Sequence, residues 1–572
     1  MRSMWGFLRV GLLSGCVLVA CKDGDATGTE ATATAEATTV ELPTTTDGTT
    51  GAPFAGVRLA TLGTYLPLGG GMALASVDPL ADGAVMTVEV GAQSYPGVYD
   101  GAAWVEFADV PEDSFRLRRL GVPSPELPGT AGFLAFTETA VRELELGQIF
   151  SGRPDVVLAK SADTTLAISV IGMTALSIDD SFELYSYNTD AQDFPFPSFD
   201  PEDGTNSPIE GATALAGWLQ PWAAFSSRGS RPLVDPGAGD DLWLTHLVGE
   251  PLVADPQGAE AEDPWSFAVR NVLVEAVQLD LAAMVDGDTT AAMGAFAKVA
   301  TMKHSFDLRA SAFFAELAEQ IAAPTFASCS VSVYLEPGVE IPVYGNVPTL
   351  GSLTVSGLDV AVDPMCPPDA CDPDLCLNGC DANHVLPGDR VFDLSHGNPF
   401  SGGTESVAVY CAGSVFPLHP TAGTSETLFA DLSFSGTLAE FSKAALEPRM
   451  GLVQDIQIDG APLAVSDVKT GVGMTPTISF SPPAFGKPDY YTVNVRTLED
   501  VVDADMNVLS RRRNVASIST MATSVTLPDG ILEPGAYYVV QIRASYGQRL
   551  TEGASYQHEH GASRAMSGMF TP

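Results

Sequence analysis

The chain has 572 residues, 45% of them apolar, with 55 Gly and 41 Pro. At roughly 100–200 residues per domain this means about three or four domains, globular and turn-rich, not coiled coil. Its 71 acidic residues face 28 basic ones, a formal net charge of -43, which repels phosphate backbones and anionic headgroups and excludes nucleic acid as a partner.

Arg2 and Arg9 precede the apolar stretch Val10-Gly-Leu-Leu-Ser-Gly-Cys-Val-Leu-Val-Ala20. Residues 1–20 thus read as a signal peptide, too short in its apolar part to span a bilayer. The stretch ends in Leu18-Val19-Ala20-Cys21, which resembles the lipobox of bacterial lipoproteins. That resemblance implies cleavage before Cys21 and a diacylglycerol on its sulfur, the lipid being the expected contact with the membrane. Residues 22–52 hold eleven Thr, and no basic residue falls between Lys22 and Arg58. Such a segment cannot bury enough apolar area to fold, so 21–53 is expected to be a disordered, Thr-rich acidic tether. Lipobox and tether together resemble secreted lipoproteins of the myxobacterial type. The location implied is the cell envelope, with the outer membrane, periplasmic or surface-facing, expected ahead of the inner one.

Residues 54–147 carry short alternating segments, among them Met86-Thr-Val-Glu-Val90 and Trp104-Val-Glu-Phe107, as antiparallel strands do. The run Phe107-Ala-Asp-Val-Pro-Glu-Asp-Ser-Phe-Arg-Leu117 resembles the strand–turn–strand of carboxypeptidase-regulatory, transthyretin-like modules. That implies a non-catalytic β-sandwich. Residues 148–325 read as a mixed domain, mostly β: Thr164–Ile171 and Asp241–Val248 form strands, and Leu308, Phe314, Leu317 and Ile321 share a helical face, placing a helix near 305–322 that Pro324 stops. Residues 326–462 return to strands and hold Cys329, Cys366, Cys371, Cys376, Cys380 and Cys411. An even count in an exported chain implies disulfides. Four cysteines within fifteen residues are expected to pair among themselves, leaving Cys329 for Cys411.

In 463–572, Leu532-Glu-Pro-Gly-Ala-Tyr-Tyr538 has the Leu-x-Pro-x-x-x-Tyr pattern and runs into the alternating Val539-Val-Gln-Ile-Arg-Ala544. With Ile478–Pro483 and Tyr490–Arg496 as further strands, this resembles a fibronectin type III domain. The resemblance implies a sandwich with Phe480 in the core position usually held by Trp, and with the Tyr538 hydroxyl turned back to the backbone near Leu532. The fold class is therefore mainly β and multidomain: β-sandwich modules, a small helical component in the central region, and a fibronectin type III-like sandwich at the C-terminus.

Signatures of local catalytic chemistry are missing: no Gly-x-Ser-x-Gly, His-Glu-x-x-His or Gly-x-x-x-x-Gly-Lys occurs. Ser466-x-x-Lys469 and Lys469-Thr-Gly471 share one lysine in a strand-like segment, without the separate lysines that penicillin-recognising enzymes use. No cofactor is required by these patterns. Calcium is the ion suited to the acidic loop around Asp200, Asp203 and Asn206. His558 and His560, two apart in an extended F–G loop, offer a transition-metal pair with no third ligand in view. His246 and His304 occur singly in apolar stretches and read as structural. The expected role is non-catalytic display, adhesion or ligand binding, with protein or polysaccharide at the cell surface as partner. The alternative is an exported, carbohydrate-active hydrolase with paired carboxylates in 148–325 and Trp218, Trp222, Trp243 and Trp265 lining its cleft.

Overall fold

The computed structural model of the protein describes residues 56–60, 62–66, 73–76, 80, 84–120, 134–145, 149–195, 210–224, 231–251, 265, 268–321, 326–336, 347–358, 386–400, 404–415, 428–502, 508–547 and 560–572. The architecture is mainly β, arranged as sandwiches joined edge to edge. Near the N-terminus, Gly56–Ala60 and Trp104–Ala108 alternate buried and half-exposed residues, the period-2 pattern that puts one face of a strand inside. Val57, Leu59, Val105 and Phe107 of that sheet meet Val88, Phe115 and Leu117 of the facing sheet. Each such side chain, fully buried, contributes about 1.5–3 kcal/mol.

A second sandwich follows. One sheet runs in the order Ala214–Pro221, Thr165–Ile171, Thr289–Ala295, Asp280–Leu281, with the middle two strands parallel. The other pairs Ser181–Ser186 with Trp243–Pro251, and the latter with Val269–Gln278. Leu166, Ile168, Val170 and Trp218 fill the space against Phe182, Leu184 and Leu244.

The second of these sheets does not stop at the boundary expected at 325/326. Val269–Val272 pairs with Gly351–Thr354, and pairing continues through Phe326–Glu336, Thr404–Val415 and Leu428–Thr437 to the C-terminal strand His560–Met566. At the far end Ala516–Ser519 pairs in parallel with Leu134–Thr137 of the first sandwich. The result is a 19-stranded network linking the sandwiches. The boundary expected at 462/463 is also crossed. Gln454–Ile458 pairs with Thr477–Ser481, and residues from both sides of the boundary share one apolar core. The terminal sandwich therefore begins earlier than 463: its smaller sheet is Ala461–Pro462, Gln454–Ile458, Thr477–Ser481 and Ser524–Thr526, facing Val508–Thr520, Tyr490–Val502, Tyr537–Tyr546 and His560–Met566.

Two features fix the seam between Leu428–Thr437 and His560–Met566. Gly561 stands opposite both Phe434 and Tyr546, and a Cβ there would lie 2.4 Å from the Ser433 carbonyl oxygen, so glycine permits the approach. Three residues on, Arg564 Nε faces the directly opposed Asp431 Oδ2 at 3.2 Å, both side chains being buried.

The helix expected near 305–322 is Ala310–Ala318. Ser305–Leu308 instead complete the strand Thr301–Leu308, in which Phe306 and Leu308 are buried and alternate with more exposed neighbours. Continuous pairing with Arg390–Gly397 favours the strand there, because tertiary pairing overrides weak helix propensity. The helix presses Phe313, Phe314 and Leu317 onto the large core, with Phe313 stacked on Phe434 at 6.0 Å. A four-residue helix at Leu438–Phe441, with a capping box from Thr437 and Glu440, was not expected from the sequence.

Cys329 and Cys411 form a disulfide between directly opposed residues of adjacent antiparallel strands, both buried. The expected cluster Cys366, Cys371, Cys376 and Cys380 lies outside the described residues, as does Cys21.

Candidate functional site

Two groups of histidines and carboxylates stand out, and they differ in whether their hydrogen bonding is complete. In the central sandwich, His246 on Trp243–Pro251 is fully buried between two carboxylates: Nε2 lies 3.0 Å from Asp180 Oδ2 and Nδ1 lies 2.8 Å from Glu275 Oε1. Asp180 also accepts from the backbone N–H groups of Ser177 and Gly249. Glu275 accepts from Thr174 N at 2.6 Å and from Lys298 Nζ at 2.7 Å. Burial works against the charged form of Glu275, but the hydrogen bonds from Lys298, His246 and Thr174 outweigh it and hold the carboxyl below its ordinary value. Every ring nitrogen and carboxylate oxygen here has a partner, so the network pins strands together and offers no free atom to a substrate. His246 reads as structural: two carboxylates take its ring nitrogens, and Phe182 packs against the ring with centroids 4.9 Å apart.

The second group lies at the junction of the central and following sheets. His304 on Thr301–Leu308 and His396 on Arg390–Gly397 are diagonal neighbours in that antiparallel ladder, where Met302 opposes His396 and His304 opposes Leu394. Their rings stack with centroids 5.2 Å apart. Glu405, near the start of Thr404–Val415, places Oε2 3.1 Å from His396 Nε2. Asn398 Nδ2 donates to Glu405 Oε1 at 3.1 Å and orients the carboxylate. Gly351 lets its strand approach: a Cβ there would stand 3.1 Å from His396 Cβ. One nitrogen of each imidazole and one Glu405 oxygen all lie within 4.8 Å of one another. His396 is fully buried. Among the described residues, His304 Nε2 and His396 Nδ1 are buried without a hydrogen-bond partner, each costing about 1–3 kcal/mol. Burial, and then repulsion from His396, lowers the His304 imidazole below its ordinary value, against the opposing pull of Glu405.

No protein-family model matches the sequence, and no curated protein is similar to it. The chemistry is therefore read from the geometry. Two imidazoles, one of them with Nε2 unpartnered, and a carboxylate within reach form a donor set for a metal.

The residues singled out in the sequence fall elsewhere. Asp200, Asp203, Asn206 and His558 lie outside the described residues. His560 is not in a loop: it opens the strand His560–Met566, opposes Ser435, and its Nε2 lies 2.9 Å from Ser435 Oγ. The strand extends to it because its backbone is taken up by the Leu428–Thr437 ladder, a partner remote in sequence. His304 is not the isolated core residue expected, since it stacks on His396. Trp218, Trp222 and Trp265 pack inside cores, and Trp243 stands edge-on to Phe400 at 5.3 Å. A depression of about 290 Å³ is lined by Arg270, Arg390, Val391, Phe392 and Asp393. Its carboxylate, Asp393, is paired with Lys303 at 2.6 Å, which is not the acid pair that glycoside hydrolysis needs.

One buried carboxyl gives a pH-dependent signature. Glu183, fully buried on Ser181–Ser186, accepts from Gln192 Nε2 at 2.6 Å and from Thr349 N at 3.0 Å, tying the central sandwich to the next sheet. Burial pushes its carboxyl up to about 7, against those hydrogen bonds. A raised carboxyl favours folding in its protonated form. The contribution is complete below the ordinary value of 4.5, shrinks as pH rises, and is gone above about 7. That difference corresponds to about 3 kcal/mol. Denaturant unfolding between about pH 5 and about pH 8 should show wild type losing stability relative to Glu183→Gln as pH rises. Parallel pH profiles would contradict the assignment.

Proposed function

We propose that the chain is a lipid-anchored cell-envelope protein whose β body serves display, adhesion or ligand binding without catalysis. The observation that carries this reading is the Cys329–Cys411 disulfide in the middle of the large core. Disulfides persist in exported, oxidising compartments, and the signal-like segment ending in Leu18-Val19-Ala20-Cys21 supplies the route and the anchor. A net charge of -43 opposes adsorption to anionic lipid, so attachment rests on the Cys21 lipid. The outer membrane, periplasmic or surface-facing, is the proposed location.

The terminal unit supports a fibronectin type III-like module. Gln454–Ile458, Thr477–Ser481 and Ser524–Thr526 share one sheet, while Tyr490–Val502, Val508–Thr520, Tyr537–Tyr546 and His560–Met566 share the other. The Tyr538 hydroxyl accepts from Glu533 N at 2.8 Å, next to Leu532. Phe480 is buried and edge-on to Tyr491 at 5.0 Å, filling the core position assigned to it. Modules of this architecture commonly act as spacers and binding surfaces. Protein or polysaccharide at the cell surface is the proposed partner.

Fractionation tests the location. Wild type should sediment with membranes and be released by detergent, whereas Cys21→Ala should be unprocessed and lack lipid. A wild-type protein found wholly in the soluble fraction would sink the proposal.

A further inference from the structure

We propose that His304, His396 and Glu405 bind one divalent transition-metal ion of the zinc class, through one nitrogen from each imidazole and one carboxylate oxygen. Three observations carry this. The donor atoms converge within 4.8 Å. His396 is fully buried with its Nε2 turned to Glu405, and His304 keeps its Nε2 buried without a partner among the described residues, a lone pair free for an ion. Asn398 holds the far oxygen of Glu405, as outer-shell groups that orient a ligand do. A buried imidazole with an unfilled valence, stacked on a second imidazole that already faces a carboxylate, is poorly served by burial alone. An ion between the donors accepts a lone pair from each ring and satisfies the carboxylate together.

The donor types select the ion. Imidazole nitrogen suits zinc, copper, nickel and iron, whereas calcium and magnesium prefer all-oxygen shells. His396 Nε2 and Glu405 Oε2 are already 3.1 Å apart, close to the roughly 3.3 Å edge of a tetrahedron with bonds of about 2.0–2.1 Å. His304, half-buried on its strand, is the group that closes the remaining distance by turning its ring. Three protein ligands leave a fourth position for water or an outside donor. The Glu405 side chain is 17% exposed, so that position is reached from the solvent side.

The test titrates Co2+ and Zn2+ into the purified full chain after stripping with a chelator. One equivalent of Co2+ should bind with intense visible d–d bands and without sulfur-to-cobalt charge-transfer absorption, which separates this site from Cys366, Cys371, Cys376 and Cys380. Zn2+ should displace it, and Ca2+ should not. His304→Ala and Glu405→Gln should each weaken binding about tenfold or more; cooperative unfolding of the metal-free variants establishes that they fold. Asn398→Ala should weaken binding about tenfold. A variant carrying His558→Ala and His560→Ala should bind as wild type does. The proposal is overturned by wild type showing no saturable binding, by thiolate absorption, by displacement with Ca2+, or by folded His304→Ala and Glu405→Gln variants that retain full affinity.

Discussion

Replacing Cys329 and Cys411 together by alanine is expected to lower the unfolding free energy by about 4–5 kcal/mol, the largest effect of any change considered for this chain. The bridge closes a loop of 82 residues. In the chain-entropy description, the gain from restricting the unfolded chain grows with the logarithm of that length and reaches about 4.5 kcal/mol for a loop of this size. Native geometry adds to the case. The two residues oppose each other across Phe326–Glu336 and Thr404–Val415, with Val331 and Val409 buried on the same strands. The bond therefore joins strands already in register, and its loss leaves the sheet pairing in place while freeing the unfolded chain. Guanidinium unfolding of oxidised wild type and the double variant measures the difference. A change under about 1 kcal/mol would place the stability elsewhere.

Asp431→Ala is expected to cost about 3–5 kcal/mol. Arg564 is opposed by Asp431 on one side and by Arg543 on the other. Removing the carboxylate breaks a buried ion pair from one side while a second guanidinium stays opposite the first, and breaking such a pair from one side is costly. The pair itself is a different matter: desolvating two ions consumes most of their attraction, so Asp431→Leu combined with Arg564→Met should restore much of the lost stability. Denaturant unfolding of Asp431→Leu, Arg564→Met and their combination, read as a double-mutant cycle beside Asp431→Ala, distinguishes the two contributions. A single variant as unstable as the double would show that the ion pair is net stabilising. A harmless Asp431→Ala would show that it does not fix the seam.

Local signals in the sequence were well realised where structure depends on near neighbours. Alternation placed strands at Trp104–Phe107, Thr164–Ile171 and Val539–Ala544, and the observed strands are Trp104–Ala108, Thr165–Ile171 and Tyr537–Tyr546; the Leu-x-Pro-x-x-x-Tyr run placed the Tyr538 hydroxyl. Counting cysteines led to Cys329–Cys411, since the other four crowd together. What depends on remote partners was hidden. Nothing near Ala516 reveals that it pairs with Leu134, or near His560 that it meets Ser435. Ser305–Leu308 has helical spacing and becomes strand because Arg390–Gly397 lies beside it. The same holds for the candidate metal site: His304 and His396 come from strands far apart in sequence, so ligand spacing could not join them. Only the short path from His396 through Asn398 to Glu405 left a local trace, a histidine, an amide and an acid within ten residues.

Export and anchoring through Cys21 carry the proposed function. Intact-mass analysis of the detergent-extracted protein, before and after reduction, tests it most directly. A chain beginning at Cys21 that carries the mass of a diacylglycerol, and that gains mass on reduction as its disulfides open, is the result expected. A chain retaining Met1 with no lipid mass, and unchanged by reduction, would contradict both the anchor and the oxidising compartment on which the proposed function depends.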